Sequence, residues 1–131
     1  MTNEYNLQAL GLQVEASRNL ETFPNLADDI TVHLWCTEFT CRCPVTHQPD
    51  WATIDITYRA GKKVLESKSM KLYLETYREE GIFHEHLAKK ILDDLVAALE
   101  PLECFVTVNF HVRGGIAIDA TAHYAKNRRP G

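Results

Sequence analysis

Two neighbouring stretches, Trp51-Ala-Thr-Ile-Asp-Ile-Thr-Tyr-Arg59 and Ser67-Lys-Ser-Met-Lys-Leu-Tyr-Leu-Glu-Thr-Tyr-Arg78, decide the fold. In the first, Ile54, Ile56 and Tyr58 fall on one face and Thr53, Asp55 and Thr57 on the other, the period of a half-buried strand. In the second, Met70, Tyr73, Leu74 and Tyr77 recur at i, i+3, i+4 and i+7, the stripe of an amphipathic helix. Ala60-Gly-Lys62 supplies the turn between them.

Upstream, Thr31 to Phe39 is rich in β-branched and aromatic residues, with Val32, Leu34 and Cys36 on one face. It pairs antiparallel with the first stretch. Residues 1 to about 25, with Pro24, have weak periodicity and read as an N-terminal arm. Downstream, Gly81 falls where the C-cap of the first helix is expected. A second helix is predicted from about Phe83 to Leu99, with Leu87, Ile91, Leu92, Leu95 and Leu99 inward, and Pro101 ends it. Phe105 to Val112 alternates again, Arg113-Gly-Gly115 breaks the run, and Ile116 to Tyr124 makes a last strand. The order β-β-α-α-β-β predicts an α+β fold: one antiparallel four-stranded sheet with both helices on one face. Its two open edges are a liability, and closing them around a ring predicts a cyclic homo-oligomer.

At 131 residues the chain makes one domain, 1–131, with a core of ordinary apolar content. A net charge of −4 argues against a nucleic-acid partner, and the short basic tail Lys126-Asn-Arg-Arg129 does not change that. No signal peptide and no membrane-length apolar run are found, so the expected location is cytoplasmic, with no membrane partner. Cys36, Cys41, Cys43 and Cys104 then read as free thiols. Cys36, Cys41, Cys43 and His47 lack the paired spacing of a zinc knuckle, so no metal is expected.

Chemistry concentrates in Glu38-Phe-Thr-Cys-Arg-Cys-Pro-Val-Thr-His-Gln-Pro-Asp50, where Pro44 and Pro49 stiffen an inter-strand loop holding Cys43 and Asp50. A thiol becomes a nucleophile when a nearby group takes its proton. The same residues also read more plainly, as a small packing side chain and a turn former. Leu65-Glu-Ser-Lys-Ser-Met-Lys-Leu-Tyr73 opens a helix, where backbone amides, Ser67, Ser69, Lys68 and Lys71 make an anion site or simply a capped, solvated helix. Phe83-His-Glu85 offers a carboxylate for a flat heterocycle and an imidazole able to exchange protons; the helix dipole alone also explains a glutamate there. In Arg113-Gly-Gly115 the glycines turn a hairpin or admit a ligand, and Arg113 can meet a phosphate.

Together these segments resemble the NADPH-dependent 7-cyano-7-deazaguanine reductases of queuosine biosynthesis, the QueF family, in their short single-module type. The resemblance runs from about Glu38 to Tyr124. Glu66-Ser-Lys-Ser-Met-Lys-Leu-Tyr73 is similar to that family's nicotinamide-cofactor signature, and Phe39-Thr-Cys-Arg-Cys-Pro44 with Gln48-Pro-Asp50 to its nucleophile loop. Gly81-Ile-Phe-His-Glu85 resembles its substrate-binding stretch and Arg113-Gly-Gly-Ile116 its last hairpin. The resemblance implies the tunnelling fold (T-fold), whose subunits ring into a barrel, here pentameric rings pairing to a decamer.

It also implies that Cys43 attacks the nitrile, that Asp50 moves the proton and that His84 assists. Leu65, Glu66, Ser67, His84 and Glu85 would bind the base. Ser67, Lys68, Ser69, Lys71 and Arg113 would bind NADPH. Some relatives carry a second cysteine two residues after the substrate glutamate; this chain has Leu87 there, so protection by that pair is absent. Two other readings stay open: another tunnelling-fold purine or pterin enzyme, which usually needs a metal or other acid/base groups, and a heterocycle-binding oligomer without catalysis.

Overall fold

The strand containing Trp51 to Arg59 lies at the heart of the molecule. In the computed structural model, which describes residues 15–127, it forms β3 (Pro49–Arg59). The chain order is β1 (Thr22–Pro24), β2 (Thr31–Arg42), β3, β4 (Lys63–Leu65), α1 (Ser67–Glu75), α2 (His84–Leu99), β5 (Glu103–Arg113) and β6 (Ile116–Ala125). The main sheet is antiparallel throughout, in the order β2-β3-β5-β6. β2 and β6 are its edges. The period-two pattern of β3 sends Ala52, Ile54, Ile56 and Tyr58 into the core, where β5 adds Cys104, Val106, Val108 and Phe110. α2 lays Leu87, Ile91, Leu92, Leu95 and Leu99 on this face, and α1 adds Met70, Tyr73 and Leu74. Each fully buried aliphatic side chain of that kind contributes roughly 1.5–3 kcal/mol.

Three features depart from the sequence expectation. First, the N-terminal arm contains a strand: β1 pairs antiparallel with β4, with Phe23 opposite Val64. Three-residue strands carry too little pattern to be read from sequence. The expectations for residues 1–14, and for Arg128 and Arg129 of the basic tail, lie outside the described residues. Second, α1 ends at Glu75, not near Arg78, and Gly81 is not its cap. The N–H groups of Tyr77, Arg78 and Glu80 turn to carbonyls three residues back, which tightens the chain into successive turns while Tyr77 stays buried. Gly81 instead runs beside β2 in a parallel bridge to Arg42, where an added Cβ would sit 3.0 Å from Pro44 Cα.

Third, the β2–β3 register breaks between Cys36 and Phe39. Before the break the half-buried residues are Val32, Leu34 and Cys36; after it the buried ones are Phe39 and Cys41. The bulge therefore moves the inward phase from even to odd positions. That shift decides which cysteine can serve a site at the end of the strand.

Candidate active site

β2 ends at Arg42 and β3 resumes at Pro49, so the connecting loop is Cys43–Gln48. Asp50, expected in this loop, is instead the second residue of β3, paired with Cys41 across the ladder. Strand phase turns its carboxylate inward, and only 2% of the residue remains exposed. A carboxylate removed from water needs charged partners. Arg113, at the end of β5, meets Oδ1 through Nη1 and donates through Nη2 to Gln48 Oε1 at 3.0 Å. His84, the first residue of α2, brings Nε2 to 3.3 Å from Oδ2. The imidazole stacks flat on Phe110 of β5, with ring centroids 3.4 Å apart. Two elements thus bring partners to one carboxylate, α2 through His84 and β5 through Arg113. Glu85, next on α2, is exposed beside them.

Cys43 is partly exposed at the mouth of this cluster. The loop is closed by Cys43 N–H donating to Gln48 O at 2.8 Å and His47 N–H donating to Cys43 O at 2.9 Å. His47 holds a left-handed φ of 62°, which lets the chain turn sharply. Hydrogen bonds from the Thr46 hydroxyl and from the Thr46 and Val45 amides hold the Cys43 thiol below its usual pKa, against smaller opposing effects of desolvation and then of Asp50. Burial pushes the Cys41 and Cys104 thiols from an ordinary 9.0 up to about 12. Cys43 is therefore the more readily ionised thiol, and the buried pair has the inertness of packing residues.

The start of α1 is organised differently. Glu66 caps the helix with its own carboxylate, accepting from Lys68 N at 2.7 Å and Ser69 N at 2.8 Å. The backbone anion site expected there is thus filled by the protein itself, with glutamate and not serine as the cap. Ser69 is buried; its hydroxyl donates to Glu66 O and accepts from Glu21 N, so it ties the N-terminal arm to α1. Leu65 is buried as well, and its N–H donates to Tyr58 Oη at 2.9 Å. Ser67, Lys68 and Lys71 are exposed, and among the described residues neither lysine has a carboxylate within ion-pair distance.

A groove of ≈ 420 Å³ runs along α1 from Ser67 and Lys71 to Arg78, walled on its other side by Trp35, Phe39 and neighbouring residues of the edge strand β2. Trp35 and Arg78 were not singled out from the sequence; a bulky aromatic on an edge strand beside a solvent-facing arginine is the signal that could have found them. Unpaired ammonium groups beside an apolar groove fit a polyphosphate cofactor with a flat ring. Arg113, expected with those lysines, is placed instead at the Asp50 cluster.

Tyr58 lies eight residues beyond Asp50 on β3, about 26 Å along an extended strand. Leu65, bonded to Tyr58, therefore stands at the far end of the sheet from Asp50. The two sets of expected substrate residues, Leu65 to Ser67 and His84 with Glu85, are not brought together within one chain.

Fold and site together define a tunnelling-fold enzyme domain built around a partly exposed thiol and a buried carboxylate. The chain belongs to the QueF family: the family model described as "QueF-like protein" matches residues 49–129. A Frankia casuarinae protein named NADPH-dependent 7-cyano-7-deazaguanine reductase is 60% identical over 114 residues, covering 87% of this chain and 91% of that one. A protein of the same name from Syntrophus aciditrophicus is 54% identical over 122 residues, covering 92% and 87%. Among solved structures, the apo form of an archaeosine synthase QueF-Like superposes with a TM-score of 0.69 at 25% identity, covering 76% of this chain and 96% of that chain.

Proposed function

We propose that this chain is an NADPH-dependent nitrile reductase that converts 7-cyano-7-deazaguanine to 7-aminomethyl-7-deazaguanine, a step of queuosine biosynthesis. The observation that carries the reading is the single activated thiol beside a buried, doubly held carboxylate, in a chain whose relatives bear that activity in their names. The archaeosine synthase is similar in fold, but the Glu66–Tyr73 motif and its unpaired lysines favour the reductase.

Cys43 Sγ adds to the nitrile carbon as its proton passes through Asp50 to the nitrile nitrogen, giving a covalent thioimide. NADPH supplies one hydride to the C=N carbon at each of two stages. After the first, the thiohemiaminal expels Cys43, which recovers a proton and leaves an imine. The second stage gives the amine, and each stage takes up one proton at nitrogen. Asp50 can return protons because Arg113 and His84 hold it in place, and His84 is the group through which solvent protons reach it. Glu85 accepts the N–H groups of the guanine-like edge. Lys68 and Lys71 would hold the cofactor phosphates, with the groove beside α1 receiving an adjoining part.

Because Leu65 to Ser67 lie at the other end of the sheet, they complete the pocket from a second copy. The groove opens on the β2 edge, and β6 offers exposed Ile116 and Ile118 at the opposite edge, as strands of a closed ring would. The ring proposed is the pentamer, paired with a second ring, that the family resemblance implies. A thiol that must stay reduced suits the cytoplasm, and no helix of the described residues is long and apolar enough to cross a membrane.

The test is direct. Purified protein given NADPH and 7-cyano-7-deazaguanine should bleach NADPH absorbance with two equivalents consumed per nitrile. Absence of oxidation, with the nitrile recovered unchanged, would sink the proposal.

A further inference from the structure

Arg42 sits between the buried Cys41 and Cys43, and its side chain reaches two partners at once. Nε and Nη2 grip Glu79 Oε2 at 2.8 Å and 2.7 Å. Nη1 donates to His47 O at 2.9 Å, at the far side of the nucleophile loop. Its backbone is held as firmly: Arg42 N–H donates to Glu80 O at 2.9 Å, and Ile82 N–H donates to Arg42 O at 3.1 Å. The turn that supplies these partners is itself anchored from behind, where Arg18 pairs with Glu80 at 2.7 Å, bonds Thr76 Oγ1 at 2.6 Å and stacks 4.0 Å above the Tyr77 ring. Gly81 lets this turn lie against Pro44.

His47 O is an unusual place for a guanidinium. The same residue holds the left-handed φ that bends the loop back on itself, and its N–H closes the turn onto Cys43 O. A clamp on that carbonyl fixes the turn whose Thr46 hydroxyl and Thr46 and Val45 amides lower the Cys43 pKa.

We infer that Arg42, locked by Glu79, is a positioning residue that sets the Cys43–His47 turn so that its amides and the Thr46 hydroxyl face the Cys43 sulfur. This rests on the reading of Cys43 as the nucleophile. The guanidinium acts through loop geometry, not as a counter-charge, because Glu79 neutralises it. The other groups gathered at this end are Cys41 on β2, Asp50 on β3, His84 on α2, Arg113 on β5 and Glu80 in the α1–α2 turn. Of these, Asp50 is the charge that opposes ionisation of the sulfur, and the loop amides outweigh it.

The experiment is the pH dependence of Cys43 alkylation by iodoacetamide, followed at that residue by peptide mass in the intact full-length protein. In Arg42→Gln the midpoint should rise by about one pH unit, and the rate near neutrality should fall roughly tenfold, as thiolate fraction requires. The Michaelis constants for nitrile and NADPH should hold. Arg42→Lys keeps the charge but cannot span both partners, so its profile should follow Arg42→Gln. Glu79→Gln, a solvent-facing change, should shift the midpoint in the same direction by less. It also keeps the test decisive if circular dichroism shows Arg42→Gln unfolded. A wild-type profile in folded Arg42→Gln or in Glu79→Gln overturns the inference, as does full rescue by lysine. Failure of the nucleophile reading looks different: wild-type protein would then form no adduct with the nitrile, whatever the alkylation profiles.

Discussion

The two ends of the sheet solve the problem of polar groups in opposite ways. At the Asp50 end, α2 and β5 each contribute a partner to one buried carboxylate, and the Thr46 hydroxyl with two loop amides lowers the pKa of a nearby thiol. At the Glu66 end, the helix satisfies itself with its own carboxylate and a buried serine, while Lys68 and Lys71 are exposed and, among the described residues, unpaired. On the proposed reading the first end carries the reaction and the second receives a ligand, and the two lie apart within one chain. A small domain with a single core cannot bring the ends of a long sheet together by bending. It can do so by repeating, with the finished end of one copy placed beside the open end of the next.

The sharpest way to break this contrast is Cys43→Ala. It should abolish turnover and the covalent nitrile adduct seen by intact-mass spectrometry, whereas Cys36→Ala and Cys104→Ala retain both. An adduct that moves to Cys41 would show that the phase shift at the β2 bulge does not select the nucleophile.

Next in size is Glu85→Gln. A hydrogen bond to a charged acceptor contributes about 1.5–3 kcal/mol, so affinity for the base should fall roughly 10- to 100-fold. Titration calorimetry reads this. Unchanged binding with slowed reduction would move Glu85 from recognition to chemistry.

Lys71→Ala should raise the Michaelis constant for NADPH severalfold and leave nitrile capture by Cys43 nearly intact, since capture precedes hydride transfer. It also sharpens the question of which copies meet. If each site takes its reactive end from one chain and its open end from another, Cys43→Ala and Lys71→Ala co-assembled at random should regain roughly a quarter of wild-type sites at limiting NADPH. If both ends came from the same chain, mixing would restore nothing.

The smallest effect concerns stability. Burial raises the Cys41 and Cys104 thiols from 9.0 to about 12, so both stay protonated in the folded protein when an unfolded chain has begun to lose those protons. Their contribution is complete below pH 9 and declines as pH climbs towards 12. The melting temperature should fall across that window, and Cys104→Ala should flatten the fall. A slope unchanged by that substitution would assign the alkaline loss to the buried tyrosines.

Much of this was legible along the chain because it rests on local periodicity. The inward faces of β3, α2 and β5 follow from residues two or three to four apart, and neighbouring side chains enforce them whatever the distant context. The Cys43 loop was visible for a similar reason, since Pro44 and Pro49 in so short a stretch leave few backbone paths. The extent of α1 was not legible: Tyr77 continues the helical stripe, yet the chain beneath it has already tightened into turns. β1 and β4 were missed because three-residue strands exist only through their pairing.

The sequence by itself determined the order of the four long strands and two helices, the single core and the candidate thiol, because each is written in patterns no longer than one strand or helix. Only the tertiary structure decided that Asp50 faces inward onto Arg113 and His84 and that Leu65 lies a sheet's length from the carboxylate. The physical reason is common to both. A buried charge and a distance are set by what the fold brings alongside a residue, and those partners lie up to 63 positions away in the chain.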